Sequence, residues 1–521
     1  MPSKKMSRRS LFRSGAVLAA AGVSASVPEP VLAAPALELG ANLYESIGVT
    51  PIVNCRGTYT IITGSQTLPE VKRAMDEASH AYVDMDELME AVGQRLAELT
   101  KAEWGIVTAG CAAALTHATS ACICGGDPEK IQRVPNLAGL KNEVVVPRYS
   151  RNEYDHAVRM LGVKMVEVET AAQFEAALGP QTAMVMILSC PAAEKGELSI
   201  PNACAIARRK GVPVIVDAAA EELTIPNIHL AHGANMVGYS GGKCLRGPQC
   251  AGLLLGQKDL LRAAWINSAP HHAFGRSLKV GKEEIMGMLA AVEMWVKRDH
   301  DAEWKQWQGW LDHIAAEAAQ VPGVTSEMLQ PEDLSNHAPR LRLHWDAARI
   351  GITGSELEEM LWHGQPRIAV NGGAGTRRDG RPSALTIMPY MMMPGDDKIA
   401  AAAIRKLLSN PPHIAVPEPE APGVDVTGEW VADLTFLSGS ARHHLTVEQH
   451  EGRISGVDHG GVLSGKLTGE VEGRRVTMRS AQRIEGATLH YEFTGDAAGG
   501  RIEGVVKLGE YGQARFIAQR A

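Results

Sequence analysis

Between about residues 40 and 300 the chain alternates short, unbroken apolar runs with helical segments, a pattern few folds accept. "WGIVTAG" leads into "CAAALTHATSACI", "NEVVVPR" precedes "DHAVRMLG", and "AMVMILS" precedes "SIPNACAIARRKG". "VPVIVDAAA" is followed by "ANMVGYSGG" and "CAGLLLG". Runs of Val, Ile, Leu and Met bounded by Gly or Pro belong to strands covered on both faces. The expected fold class is a doubly wound α/β sheet, largely parallel.

A chain of 521 residues with 45% apolar side chains is too long for one core and long enough to bury several. We expect a large α/β domain over 37–300 and a smaller α+β domain over 301–412, where short strands such as "RLRLHW" and "ALTIMPY" mix with helices. The proline-rich stretch at 413–423 reads as a linker. From 424 to 521, about eight short segments of period-two alternation are separated by turns rich in Gly, Asp and Glu, which predicts a small antiparallel barrel or sandwich. Such a module either packs as an accessory domain or holds a ligand. His443, His444, His450 and His459 read as solvated strand positions with no metal-ligand spacing.

The first 36 residues differ from the rest. Arg8 and Arg9, a short apolar run and small residues near Ala33 to Ala36 form the pattern of a twin-arginine signal peptide. It implies the twin-arginine export machinery as a partner and a periplasmic or secreted location. A net charge of −7, with no dense basic stretch beyond the N-terminus, excludes nucleic acid from the expected partners. The eight cysteines, among them Cys111, Cys122, Cys124, Cys190 and Cys250, mostly sit in Ala-, Ile- or Leu-rich surroundings, so we expect free buried thiols and no structural metal.

The chemistry gathers at strand ends. In "YSGGKCLRGPQCAG", Lys243 follows two glycines at the end of an apolar run. A lysine there either snorkels to water or is desolvated, and a desolvated amine is what a Schiff-base lysine needs. Asp217 closes "VPVIVD" at the C-terminal end of a central strand, where open α/β sheets bind ligands. A carboxylate in that apolar setting calls for a cationic partner. In "TAGCAAAL" a strand ends, Gly110 turns, and a helix starts whose amides at Cys111 and Ala112 face an anion. Ser240 and Gly242 add a hydroxyl and a close backbone approach. A lysine for covalent linkage, an acid for a protonated pyridine and a phosphate cradle are the three requirements of pyridoxal 5′-phosphate.

The stretches from "PIVNCRGTYTIITGSQTLPEV" through "KNEVVVPRYSRNEYDHAVRMLG" to "YSGGKCLRGPQCAGLLLG" resemble the fold-type I pyridoxal-phosphate enzymes related to selenocysteine synthase. Within that group the chain resembles the D-glucosaminate-6-phosphate ammonia-lyases, over roughly residues 42–408. The resemblance implies an aspartate-aminotransferase-like fold, a homodimer or larger assembly, Lys243 and Asp217 on the cofactor, and Ser240 with the Gly110 loop on its phosphate. It further implies Arg276 and Lys279 near an anionic part of the substrate. The implied activity is a lyase that eliminates ammonia, with loss of a β-hydroxyl, from an amino acid or amino sugar acid to give a 2-keto acid. His156, Tyr154 and Arg148 are candidates for ring stacking or proton transfer, and each also reads as a residue of a polar turn. Arg159 and Arg367 are candidates for carboxylate binding or for surface ion pairs. Racemisation, aldol cleavage, β-substitution and group transfer use the same residues. An exported binding protein acting through its C-terminal barrel is the alternative from outside enzymology.

Overall fold

The apolar runs assemble into one seven-stranded sheet in the computed structural model, which describes residues 37–373, 375–377, 380–414 and 420–521. The expected signal peptide lies outside the described residues. Of the described residues, 37–51 belong to a small unit of their own, with a 3-10 turn at Glu45–Ile47.

The sheet runs in the order Trp104–Thr108, Gly252–Gly256, Met236–Ser240, Val214–Asp217, Thr182–Leu188, Glu143–Pro147, Lys164–Val168. Only Gly252–Gly256 runs against its neighbours; the rest are parallel. Central strands such as Val214–Asp217 are buried at every position, which is why they read as unbroken apolar runs rather than alternations. Helix Gly110–Cys124, buried almost all round, packs on this sheet.

A second core forms around Leu311, Ile314, Trp345, Leu357, Leu385 and Ile404. It covers an antiparallel sheet ordered Asn371–Gly372, Ser383–Ile387, Arg340–Trp345, Thr325–Leu329. Strand Ile52–Asn54 pairs in parallel with Arg367–Ala369, and Cys55 is buried in this second core. The placement of these residues with the large domain is therefore corrected: an isolated three-residue strand needs a partner for its backbone, and the smaller domain supplies it. Met388, Met391 and Met392 are buried beyond the end of Ser383–Ile387, in the loop and turn that follow that strand.

Eight strands from Gly428–Thr435 to Gln513–Arg520, each antiparallel to the next, close into a barrel. Trp430, Leu445, Met478, Phe493 and Phe516 fill its interior, as expected for eight strands. His444, His450 and His459 are exposed, but His443 is buried and its ring pairs with Asp458 at 2.7 Å. That corrects the reading of all four as solvated. His443 shares the inward parity of Leu445 and Val447.

Candidate active site

Asp217 ends strand Val214–Asp217 and is buried. Its Oδ1 accepts the Ala219 N–H at 3.1 Å and the Cys111 S–H at 3.6 Å. Burial pushes this carboxyl above the usual aspartate range, opposed by the Ala219 amide and the charge of Lys243. Burial likewise raises the Cys111 thiol, with the Asp217 charge adding to it.

The turn after Trp104–Thr108 carries the adjoining helix start. Gly110 takes φ +82°, open to glycine without strain, and Thr108 Oγ1 donates to its carbonyl at 2.8 Å. Gly252 lies directly against this turn: a Cβ there would stand 2.4 Å from the Gly110 carbonyl carbon and 2.6 Å from the Cys111 nitrogen. The first amides of helix Gly110–Cys124 have no side-chain cap, which leaves them for an anion.

Strand Met236–Ser240 delivers Lys243 through two glycines. The Gly241 N–H donates to Ala251 at 2.8 Å, and a Cβ on Gly241 would meet that same carbonyl oxygen at 2.8 Å. A Cβ on Gly242 would approach the Gln249 Cα to 2.7 Å. The segment 248–251 thus folds down over the turn, and only glycines let it. Lys243 is half-buried.

Two cavities meet at Lys243. The first, of about 540 Å³, is lined by Lys243, Asp217, Ser240, Gly110, Cys111, Ala112, Tyr154 and Thr58, among others. The second, of about 430 Å³, shares Lys243, Tyr154 and Thr58 and adds Arg56, Arg340, Asn336 and Asn371. The Asn54 side chain shapes the loop carrying Arg56 and Thr58: its amide donates to the carbonyls of Gly57 at 2.9 Å and Gly64 at 3.1 Å, and its Oδ1 accepts from the amides of Arg56 and Gly57. Arg56 pairs with Glu358 at 3.3 Å, yet its Nε and that of Arg340 are buried without a hydrogen-bond partner. An unmet buried guanidinium donor beside a cavity fits an anionic ligand.

Of the residues singled out in the sequence, the structure brings together Lys243, Asp217, Ser240, Gly110, Cys111, Ala112 and Tyr154, with Gly242 in the turn below. It does not bring the others. His156 is exposed at the start of a short helix and lines neither cavity, unlike Tyr154 two residues before it. Arg276 and Lys279 are exposed and line neither cavity of this chain. Arg159 is half-buried away from both, and Arg367 stacks over Trp362 with 5.6 Å to the ring centroid. Arg148 pairs with Glu167 and Glu169. Sequence reasoning missed Arg56 and Arg340, which come from a loop and a strand of the smaller domain. All eight cysteines are free; Cys250 is exposed rather than buried, because the covering segment 248–251 puts it on the rim of the first cavity.

The donor set fits pyridoxal 5′-phosphate: a buried acid with its proton affinity raised and no cation of its own except Lys243, an amine in the same cavity, and uncapped amides beside a hydroxyl. The profile of the family "SelA: L-seryl-tRNA selenium transferase" matches residues 67–306. D-glucosaminate-6-phosphate ammonia lyase of Salmonella typhimurium (strain 14028s / SGSC 2262) is 31% identical over 337 residues, 63% of this chain and 88% of that protein. The 5′-C-glycyluridine monooxygenase-decarboxylase of Streptomyces sp is 31% identical over 337 residues, 62% of this chain and 83% of that one. A solved structure of D-glucosaminate-6-phosphate ammonia-lyase superposes with a TM-score of 0.63 at 28% identity, covering 71% of this chain and 99% of its own. On sequence, fold and site together, the chain belongs to the SelA-like family of fold-type I enzymes, and its cofactor is pyridoxal 5′-phosphate.

Proposed function

We propose that this enzyme is an ammonia-lyase: it eliminates ammonia, with loss of a β-hydroxyl, from an amino acid or amino sugar acid and releases a 2-keto acid. The observation that carries the reading is the buried Asp217 carboxyl facing the same cavity as Lys243 and the uncapped Gly110 turn. The ammonia lyase among its relatives, 88% of whose length is matched, supports the reaction type.

Each residue then has a task. Asp217 keeps a pyridine nitrogen protonated by offering it a buried anion. Ser240 and the Cys111 and Ala112 amides hold a phosphate. Lys243 would hold the cofactor through its Nζ, and that same amine, when free, would take the α-proton. Arg56 and Arg340 orient the substrate carboxylate through their unmet Nε donors. Tyr154 lines both cavities, at the seam between cofactor and substrate. Bound pyridoxal phosphate supplies the electron sink that stabilises the carbanion left after proton removal.

The test is the visible absorption of the cofactor-loaded protein before and after borohydride, followed by peptide mapping and assay of ammonia release from β-hydroxy amino acids and amino sugar acids. A reduced adduct on Lys243 with ammonia and keto acid formed is expected; an adduct with no ammonia from any such substrate sinks the lyase reading. A second reading has a specific basis, since a relative of equal identity is named a monooxygenase-decarboxylase. Oxygen uptake with carbon dioxide in place of ammonia would favour it. Export through the twin-arginine pathway and assembly as a homo-oligomer belong to the same proposal; fractionation of cells and light scattering test them.

A further inference from the structure

The strand-to-helix loop after Glu143–Pro147 is held from two sides. Ser150 Oγ accepts the Leu188 N–H at 3.0 Å, which ties the loop to the large sheet. On the other side it meets the barrel. Arg151, with its side chain only 6% exposed, donates to the fully buried Asp155 and reaches Glu485 in the barrel turn between Arg475–Ile484 and Ala487–Ala498. Arg483 bridges to Glu167 at 3.3 Å beside it. The next barrel residue, Gly486, is seated on the loop itself: a Cβ there would stand 2.1 Å from the Asn152 carbonyl oxygen and 2.6 Å from Asp155 Oδ2. Asn152 Oδ1 in turn accepts the Tyr154 N–H at 2.7 Å. A second barrel turn, Gly509–Tyr511, comes close enough for the charge of Glu510 to act on the Tyr154 phenol and that of Glu153 on Tyr511.

We propose that the C-terminal barrel is a positioning element of the active site: its Glu485–Gly486 turn, clamped by Arg151 and seated on Asn152 and Asp155, fixes the loop that presents Tyr154 to the cavity of Lys243. The proposal rests on the reading of that cavity given above. It gives the barrel a task that its filled interior does not, and it makes Arg151, Glu485 and Gly486 positioning residues. A buried guanidinium shared between Asp155 of its own loop, Glu167 of strand Lys164–Val168 and Glu485 of the barrel is costly to break and rigid while intact.

The full-length protein carrying Glu485→Ala or Gly486→Val tests it, with two readouts. In the cofactor-free protein, hydrogen exchange of peptides within 148–156 is expected to accelerate about tenfold or more in both variants. In the loaded protein, the visible circular dichroism of the cofactor is expected to fall as it does in Tyr154→Phe, and Tyr154→Phe combined with Gly486→Val to fall no further. Asp433→Asn, in an exposed pair on the barrel wall, serves as the control and leaves both readouts unchanged. Unchanged exchange in both variants, or faster exchange with the cofactor signal intact while Tyr154→Phe abolishes it, overturns the proposal. A Tyr154→Phe protein with an unaltered signal removes the role of Tyr154 and the proposal with it. A wild-type protein that takes up no cofactor refutes the site reading instead, and the exchange data then judge the clamp by themselves.

Discussion

The Sγ of Cys111 lies 3.6 Å from Oδ1 of Asp217, so a residue in the first turn of the cradle helix also touches the acid at the end of strand Val214–Asp217. In the function proposed, the group that would hold a phosphate and the group that would hold a pyridine are thereby set at a fixed distance. Asp217 has its pKa raised by burial in the cofactor-free protein. The folded state then binds more protons than the unfolded state above the ordinary aspartate value, so this group's contribution to stability is present at low pH and is lost as pH rises toward the raised value. We expect urea unfolding of the cofactor-free protein to show that decline, and Asp217→Asn to remove it while abolishing cofactor binding. A D217N protein with the wild-type pH slope would contradict this.

Gly252 fixes how near the sheet comes to the cradle. In Gly252→Ala the added methyl collides with backbone, which has nowhere flexible to go. A destabilisation of about 1–3 kcal/mol is expected, together with weaker uptake of pyridoxal phosphate, measured by spectral titration. Gly241→Ala should behave similarly through its collision with the Ala251 carbonyl.

Arg56 and Arg340 should govern substrate affinity and not cofactor affinity. Replacing either by Gln is expected to weaken amino-acid binding about tenfold or more, since a hydrogen bond to a charged group contributes about 1.5–3 kcal/mol. Arg→Lys should rescue poorly, because an ammonium lacks the planar fork. Binding followed through the visible spectrum checks both statements.

Cys250 is the exposed thiol, on the rim of the cofactor cavity, whereas Cys111 and Cys124 are buried. Burial of part of its surface, with the charge of Glu284, raises its pKa. Alkylation followed by mass spectrometry should therefore mark Cys250 first, speed up as pH rises above neutrality, and slow when pyridoxal phosphate fills the cavity.

Within the barrel, His443 and the Gln482 amide both donate to the Asp458 carboxylate, at 2.7 and 2.9 Å. His443→Ala leaves a buried acceptor short of a donor. A loss of at least about 1–3 kcal/mol is expected in thermal unfolding.

Much of this site could be read from the chain because it sits at strand ends. Asp217, Ser240 and the Gly110 turn each terminate an apolar run, and a run bounded by glycine or a carboxylate locates a strand end to within a residue or two. Arg56 and Arg340 had no such signal: they line a cavity with Lys243 only because two separate cores pack together, and no local pattern records that. His443 did have one. Its alternation with Leu445 and Val447 marks it as inward-facing, and the pair of adjacent histidines obscured it. Tyr154 and His156 show the limit from the other side, since two residues of one polar turn looked equivalent and only one faces the cavity.

The pairing of Ile52–Asn54 with Arg367–Ala369 has a mechanical consequence. It anchors the loop bearing Arg56 to the same lobe that bears Arg340, while Lys243 and Asp217 ride on the large sheet. The two guanidiniums are thus teeth of one jaw and the Lys243 amine belongs to the other. Any rotation of the smaller lobe would carry both teeth together, so under the proposed function an anionic substrate held by them would be presented to that amine as one unit.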